Sequence, residues 1–372
     1  MYKIIPFLLS IFTLTSSLEG HLYHNSEELT SALPCKTEAV SVKDEQLVQR
    51  IVKAYQRANK PDLGHSMWQS FFNERHKAIH NIFQSGSLSL ATQVLRNPAT
   101  NDLFYGMDNL CASIQPAYKN INAIIGNAYL GLDNLVRFGE SIGAIPIENS
   151  KNNQPPKNWD VNVVIPQLEA FLGVTLNFPT PYPDEWGTWT PRGVLAYRAI
   201  QALYQAYLIK KLLKDVPNPK VLEIGAGIGR TAYFARLFGI KDYTIIDIPM
   251  SAAASGYFLG RTLGEDQVLL LGEQSAHSEN FVKVLTPDQF LNKDQYYDLI
   301  INVDSMTEMD IIISKAYINK IVKSTPLFVS INHENNSFTV NQLLKGNPSV
   351  KESQRQNYCM RNTYFEEIFK FH

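Results

Sequence analysis

Three glycines at alternate positions, Gly225, Gly227 and Gly229, constrain this chain more than any other stretch. They follow Val221-Leu222-Glu223-Ile224, a short apolar segment that predicts a buried strand. Glycine lacks Cβ and enters left-handed backbone readily, so such a run turns sharply and leaves room for a ligand. From Thr231 the apolar residues Ala232, Ala235 and Phe238 fall at helical spacing. Strand, glycine turn and helix N-terminus together predict a nucleotide-sized pocket.

The spacing narrows the ligand. Dehydrogenases that use a nicotinamide cofactor carry Gly-x-Gly-x-x-Gly, which seats a pyrophosphate at the helix N-terminus. Here the run is Glu-x-Gly-x-Gly-x-Gly, and Glu223 would repel a pyrophosphate while accepting from an ammonium or sulfonium-bearing ligand. The next apolar run, Asp242 to Ile246, ends in Asp247, eighteen residues after Gly229. That distance suits a carboxylate that accepts from a ribose diol at the tip of the second strand.

A chain of 372 residues predicts two domains. Hydrophobic residues make up 45% and the formal net charge is -1, the balance of an ordinary globular protein with no basic excess for nucleic acid. Cys35, Cys111 and Cys359 are too few and too far apart for a metal cluster or a disulfide framework. Lys3, the apolar run Ile4 to Leu14 and the small residues Thr15-Ser16-Ser17 have the pattern of a secretory signal, too short to span a bilayer. The other reading of residues 1–20 is an apolar helix that docks on the core or touches a membrane through residues 4–17.

Residues 21–190 read as a helical region on the acceptor side of the pocket, or a lid over it. Helices are expected over about 42–60, 66–84, 88–95 and 120–143, and residues 149–158 read as an exposed loop. His76 and His80 stand four apart, yet no Glu follows His76, so they read as ordinary histidines rather than metal ligands. Phe178 to Pro191, with four prolines, Trp186 and Trp189, reads as a rigid connector, the alternative being an aromatic wall for a flat ligand. A long helix from Arg192 to Leu213 then leads into the domain spanning residues 191–372.

Beyond Asp247, strands are expected at Val268–Leu271, Asp298–Val303 and Leu327–Ile331. In a doubly wound parallel sheet, ligands bind at the carboxyl ends of the strands. Glu223, Asp247, Glu273, Asp304 and His333 are therefore expected to converge on one crevice. The aromatic tail Tyr358–Phe371 is expected to supply the closing antiparallel strands.

These stretches resemble class I methyltransferases that use S-adenosylmethionine, and more narrowly the sugar O-methyltransferase family. The resemblance rests on Thr190 to Val194, Val221 to Arg230, Tyr243 to Pro249, Gly256 to Gly260, Asn302 to Met309 and Ser330 to Glu334. It covers roughly residues 190–334 well and the N-terminal half only loosely. It implies a Rossmann-like doubly wound sheet, with Gly225, Gly227 and Gly229 under the methionine part of the cofactor. Asp247 would hold the ribose, Glu223 would act near the amino-acid end, and Gly272 and Glu273 would flank the adenine.

The implied reaction is transfer of a methyl group to a hydroxyl of a small-molecule sugar or a glycan. His333 is the expected base, because its ordinary pKa lies nearest neutrality. Asp304 stands second, as base or as the group that orients the acceptor. No ligand spacing identifies a metal site. Two other readings stand beside this one: a nicotinamide-dependent dehydrogenase, and a catalytically silent methyltransferase-like binding protein, exported if residues 1–17 are a signal. Because the methyl donor is made in the cytosol, the enzyme reading expects a cytoplasmic protein.

Overall fold

The computed structural model describes residues 43–116, 120–147 and 160–372. The expectations for residues 1–20 and for the loop at 149–158 lie outside these. Among the described residues, no helix is long and apolar enough to cross a membrane.

A small antiparallel hairpin comes first, with β1 (Thr188–Thr190) and β2 (Gly193–Leu195) joined through Pro191-Arg192. Because residues 193–195 enter this hairpin, the long helix starts at Tyr197 rather than Arg192, and it runs to Leu212. The main sheet contains β3 (Lys220–Ile224), β4 (Asp242–Ile246), β5 (Val268–Leu270), β6 (Val282–Leu285) and β7 (Leu299–Val303). It is completed by β8 (Leu327–His333), β9 (Val350–Asn357) and β10 (Tyr364–Phe371).

The order across the sheet is β5-β6-β4-β3-β7-β8-β10-β9. Strands β3 to β8 pair in parallel, and β10 runs antiparallel to both β8 and β9. From β3 the chain first moves to β4 on one side and later to β7 on the other. Such a reversal opens a crevice at the carboxyl ends of the strands, which is where ligands bind in doubly wound folds. The architecture is Rossmann-like, as expected.

Strand alternation explains the two-sided core. Val221, Tyr243, Ile245, Leu299 and Ile301 pack into one core with the helices Tyr197–Leu212, Arg230–Leu237 and Pro249–Thr262. Leu222, Ile224, Ile246, Ile300 and Phe328 pack into the other, with the helices Pro287–Leu291, Ile311–Ser324 and Val340–Leu344. A parallel strand covered on both faces reads as a nearly continuous apolar run; after the opening Lys220 and Asp242, β3 and β4 interrupt that run only at the buried Glu223 and Thr244.

One strand differs from expectation. Val268–Leu270 is not the neighbour of β4; that place belongs to β6, and β5 is displaced to the sheet edge. Val282-Lys283-Val284-Leu285 is short and contains a lysine, which concealed it as a strand. The lysine is accommodated because its ammonium pairs with the Asp242 carboxylate on β4. The other edge, β9, is also cryptic in sequence, since its exposed side chains are mainly polar, as suits an edge strand that must not recruit another chain.

The first described helix, Glu45–Arg57, carries Leu47, Val48, Ile51, Val52 and Tyr55 on one buried face. It docks where helix Pro249–Thr262 presents Gly256 and Gly260. A Cβ on Gly260 would stand 2.7 Å from Leu47, and one on Gly256 would stand 3.7 Å from Ile51. Burial of each such aliphatic side chain contributes about 1.5–3 kcal/mol. Asp44, at the start of this helix, is buried and accepts from Tyr257 Oη at 2.6 Å and from the Arg96 guanidinium. Burial disfavours its charge, but the Arg96 and Tyr257 hydrogen bonds outweigh that and hold the carboxyl below its ordinary value.

A carboxylate with a depressed folded pKa stabilises above its unfolded pKa and loses that contribution as pH falls through the folded one. Asp44→Ala is expected to lower unfolding free energy by about 3 kcal/mol at neutral pH. In urea unfolding the deficit should shrink once the pH falls below about 4; a deficit independent of pH would contradict the ionic role.

Candidate functional site

All three motif glycines are left-handed, with φ of +74°, +58° and +88° at Gly225, Gly227 and Gly229. Each answers a different demand. A Cβ on Gly225 would lie 2.1 Å from Ser305 Oγ, so the turn must pass bare over the loop that follows β7. A Cβ on Gly229 would lie 3.0 Å from Leu259, which brings helix Arg230–Leu237 against helix Pro249–Thr262. A Cβ on Gly227 would meet nothing nearer than Met107, at 3.8 Å. Its demand is therefore conformational, and the space above it is open.

A buried polar lattice supports the turn from below. Asn302 Nδ2 donates to Ile224 O at 2.9 Å, and Asn332 Nδ2 donates to Asn302 Oδ1 at 2.8 Å. Ser305 Oγ donates to Ile224 O at 3.1 Å, and Ser305 N donates to Asn332 Oδ1 at 3.3 Å. Asn302, Ser305 and Asn332 are all buried. Satisfied buried networks of this kind fix one geometry, because any rearrangement leaves polar groups unpaired. The carboxyl ends of β3, β7 and β8 are thereby locked together.

Above the turn lies a cavity of about 500 Å³, within the usual size of small-molecule sites. Glu223, Gly225, Gly227, Asp247 and Asp304 line it, and Pro287 and Asp288 at the end of β6 form one side. Gly229 does not line the cavity; its role is helix packing. Asp247 reaches back over the turn: its Oδ2 accepts from Gly227 N at 3.0 Å and its Oδ1 from Ile248 N at 2.8 Å. Burial pushes its carboxyl up to about 7. Glu223 is buried beside it and accepts from Tyr243 Oη at 2.9 Å. Burial pushes Glu223 up to about 7 as well.

Gly272 and Glu273 do not reach the cavity. They follow β5, one strand beyond the one that borders the crevice, and they face helix Glu45–Arg57 instead. Glu273 accepts from Arg50 Nε at 2.8 Å and Nη2 at 2.7 Å, and Gly272 O accepts from Arg57 at 3.3 Å. On that side the cavity is lined by Pro287 and Asp288 instead.

Asp304 stands at the end of β7 with φ of +52°, a left-handed conformation that Asp tolerates better than most residues. Its Oδ2 accepts from Arg198 Nη1 at 3.1 Å and from Arg361, and its Oδ1 accepts from Tyr364 Oη. Burial opposes its charge, but Arg361 and Arg198 outweigh burial and hold the carboxyl at about 2. His333 does not line the cavity. Its ring packs behind Asp304 against Tyr364, with centroids 5.0 Å apart, and burial lowers its pKa.

The N-terminal region supplies a roof, from Asn59–Ser66, Trp68 and Gly106–Asp108. Four side-chain contacts pin it to the sheet domain. Asn59 Nδ2 donates to Asp288 Oδ2 at 3.2 Å, His65 N to Asp310 Oδ2 at 3.0 Å, and Trp68 Nε1 to Glu308 Oε2 at 3.3 Å. Arg230, buried at the first position of its helix, bridges Asp108 at 3.3 Å and Glu185 at 2.7 Å. Sequence reasoning named none of these pairs, because their partners lie far apart along the chain.

Neither Trp186 nor Trp189 lines the cavity. Instead the connector buries Phe178 and Tyr182, the latter packed among Phe104, Tyr257 and Phe258. His76 is buried, and His80 Nδ1 shares a hydrogen bond with Tyr55 Oη at 2.8 Å.

No family model matches this chain, and no curated protein does. Among solved structures it is similar to magnesium protoporphyrin IX methyltransferase from Synechocystis, at 11% identity and a TM-score of 0.32, covering 47% of this chain and 83% of that one. It is also similar to a protein of Thermoplasma acidophilum, at 13% identity and a TM-score of 0.33, covering 46% of this chain and 90% of that one. The likeness concerns the fold over less than half of the chain.

A carboxyl raised by burial costs the folded state free energy above its unfolded pKa, and the cost grows until the pH passes the folded value. Glu223→Gln keeps an acceptor for Tyr243 and removes that cost. The ligand-free variant is expected to be more stable than wild type by on the order of 2 kcal/mol above pH 7, with the gain gone below about pH 4. Thermal unfolding across this range measures it; a variant less stable at high pH would contradict it.

Proposed function

We propose that this chain is a methyltransferase that uses S-adenosylmethionine and acts on a hydroxyl group, with a small sugar or a glycan as acceptor. The observation that carries the reading is the closure of the glycine turn by Asp247. A carboxylate accepting from Gly227 N stands beside bare backbone in a cavity at the sheet's carboxyl edge. When bound, S-adenosylmethionine supplies an electrophilic methyl group on a sulfonium, with neutral thioether as the leaving group.

In this reading the bare backbone at Gly225 and Gly227 passes under the methionine part, and Asp247 accepts from the ribose hydroxyls. Glu223 acts near the amino-acid end, and Pro287 and Asp288 flank the adenine in place of Gly272 and Glu273. The protein's main contribution is alignment of acceptor oxygen and methyl group. The same reading calls for a cytoplasmic protein, where this methyl donor is made.

Gly227→Val fills the space above the turn, and Asp247→Ala removes a hydrogen-bonding carboxylate. Hydrogen bonds to a charged group contribute about 1.5–3 kcal/mol each, so each variant is expected to bind S-adenosylhomocysteine at least about tenfold more weakly by calorimetry. Unchanged affinity in both would contradict the cofactor assignment. Incubation of the wild type with labelled S-adenosylmethionine and a panel of nucleotide sugars and oligosaccharides tests the acceptor class. Label on none of them would remove the sugar from the proposal.

The acceptor hydroxyl gives up its proton as its oxygen gains the methyl group, and an oxygen being alkylated is far more acidic than a free hydroxyl. A weakly basic carboxylate therefore suffices, and we assign the acceptor-facing role to Asp304, with His333 behind it. Asp304→Asn is expected to lower turnover by about 10²-fold, and His333→Ala by less than about tenfold. The opposite ranking would return the base role to His333.

A further inference from the structure

Two residues that line the cavity carry buried hydrogen-bond donors with no partner among the described residues. Arg198 and Gln201 lie three residues apart on helix Tyr197–Leu212, so they share a face, and both line the cavity. Gln201 is only 4% exposed, and its Nε2 has no hydrogen-bond partner. Arg198 donates Nη1 to Asp304, while its Nε has no partner. Most buried polar groups are paired in folded proteins, so two orphan donors on cavity-lining residues one helical turn apart call for an explanation.

Charge points the same way. The Asp304 carboxylate lies between two guanidiniums, those of Arg198 and Arg361. The next acid, Glu308, is pushed well above its ordinary value by burial and by the charge of Asp304. Asp108, across the cavity, shares Arg230 with Glu185. Arg198 therefore shares its one carboxylate partner with a second guanidinium.

We propose that Arg198 and Gln201 form an oxyanion subsite in this cavity, one that takes a carboxylate or phosphate oxygen. A guanidinium edge beside an amide NH₂ matches the spread lone pairs of such a group. The proposal rests on the methyltransferase reading for its two sources of that oxyanion. One is the amino-acid carboxylate of the cofactor; the other is an acidic group on the acceptor.

The test uses the full chain and two probes, S-adenosylhomocysteine and 5′-methylthioadenosine, which lacks the amino-acid part. Arg198→Leu leaves Asp304 paired with Arg361 and Tyr364, and Gln201→Leu leaves that cluster untouched. If the oxyanion is the cofactor's, both variants bind S-adenosylhomocysteine about tenfold or more weakly and hold methylthioadenosine as wild type does. If it is the acceptor's, both adenosyl probes bind normally. Inorganic phosphate then raises the melting temperature of the wild type loaded with S-adenosylhomocysteine, but not that of the variants.

Equal losses for both adenosyl probes would overturn the subsite, because the residues would then merely shape the pocket. So would variants indistinguishable from wild type in all three measurements. A wild type that binds neither adenosyl compound contradicts the methyltransferase reading instead. In that case phosphate protection of the unloaded protein, present in wild type and absent in both variants, still upholds the subsite, and its absence from wild type overturns it.

Discussion

The approach of Gly225 to Ser305 is the constraint on which the site depends. Since even a methyl group at Gly225 would overlap Ser305 Oγ, the turn after β3 and the loop after β7 can pack only with bare backbone between them. Ser305 is in turn held by Ile224 O and Asn332, and Asn302 joins the same lattice. Every group in that lattice is buried and answered, so the strand ends have one arrangement available to them. The open space over Gly227 and the reach of Asp247 across the turn follow from that arrangement.

Electrostatics divides the cavity into two ends with different chemistry. At the glycine end, Glu223 and Asp247 have no cationic partner among the described residues and are raised by burial. At the far end, Asp304 is held ionised by Arg198 and Arg361 and braced by Tyr364. One end presents carboxyl oxygens beside bare backbone; the other fixes a carboxylate in a single orientation under the roof. The roof matters to both ends, because Asn59, Trp68 and Asp108 tie it to Asp288, Glu308 and Arg230 around the cavity rim.

Much of this was legible in the sequence, for reasons that can be stated. The strand, glycine turn and following carboxylate are local, and each imposes its own signature: apolar run, absent Cβ, acid at a fixed distance. Gly225, Gly227 and Asp247 were legible in that way. Gly272 and Glu273 were not, because an apolar Val268–Leu270 announces a strand without saying which neighbour it pairs with. The strand that does border the crevice contains Lys283, whose charge is offset by Asp242 only once the sheet has formed. His333 was placed correctly at the end of β8, yet strand position alone does not tell which way a side chain faces. The roof and the Asn302 lattice rest on pairs far apart in the chain, and no local pattern encodes them.

The central claim is that the glycine turn and Asp247 hold an adenosyl ligand whose amino-acid end, rather than a pyrophosphate, lies by Glu223. Calorimetric titration of the wild-type chain with S-adenosylhomocysteine, with NADH run as the comparison, tests it most directly. The account predicts saturable one-to-one binding of S-adenosylhomocysteine and no heat of binding from NADH. Saturable binding of NADH with none of S-adenosylhomocysteine would contradict it.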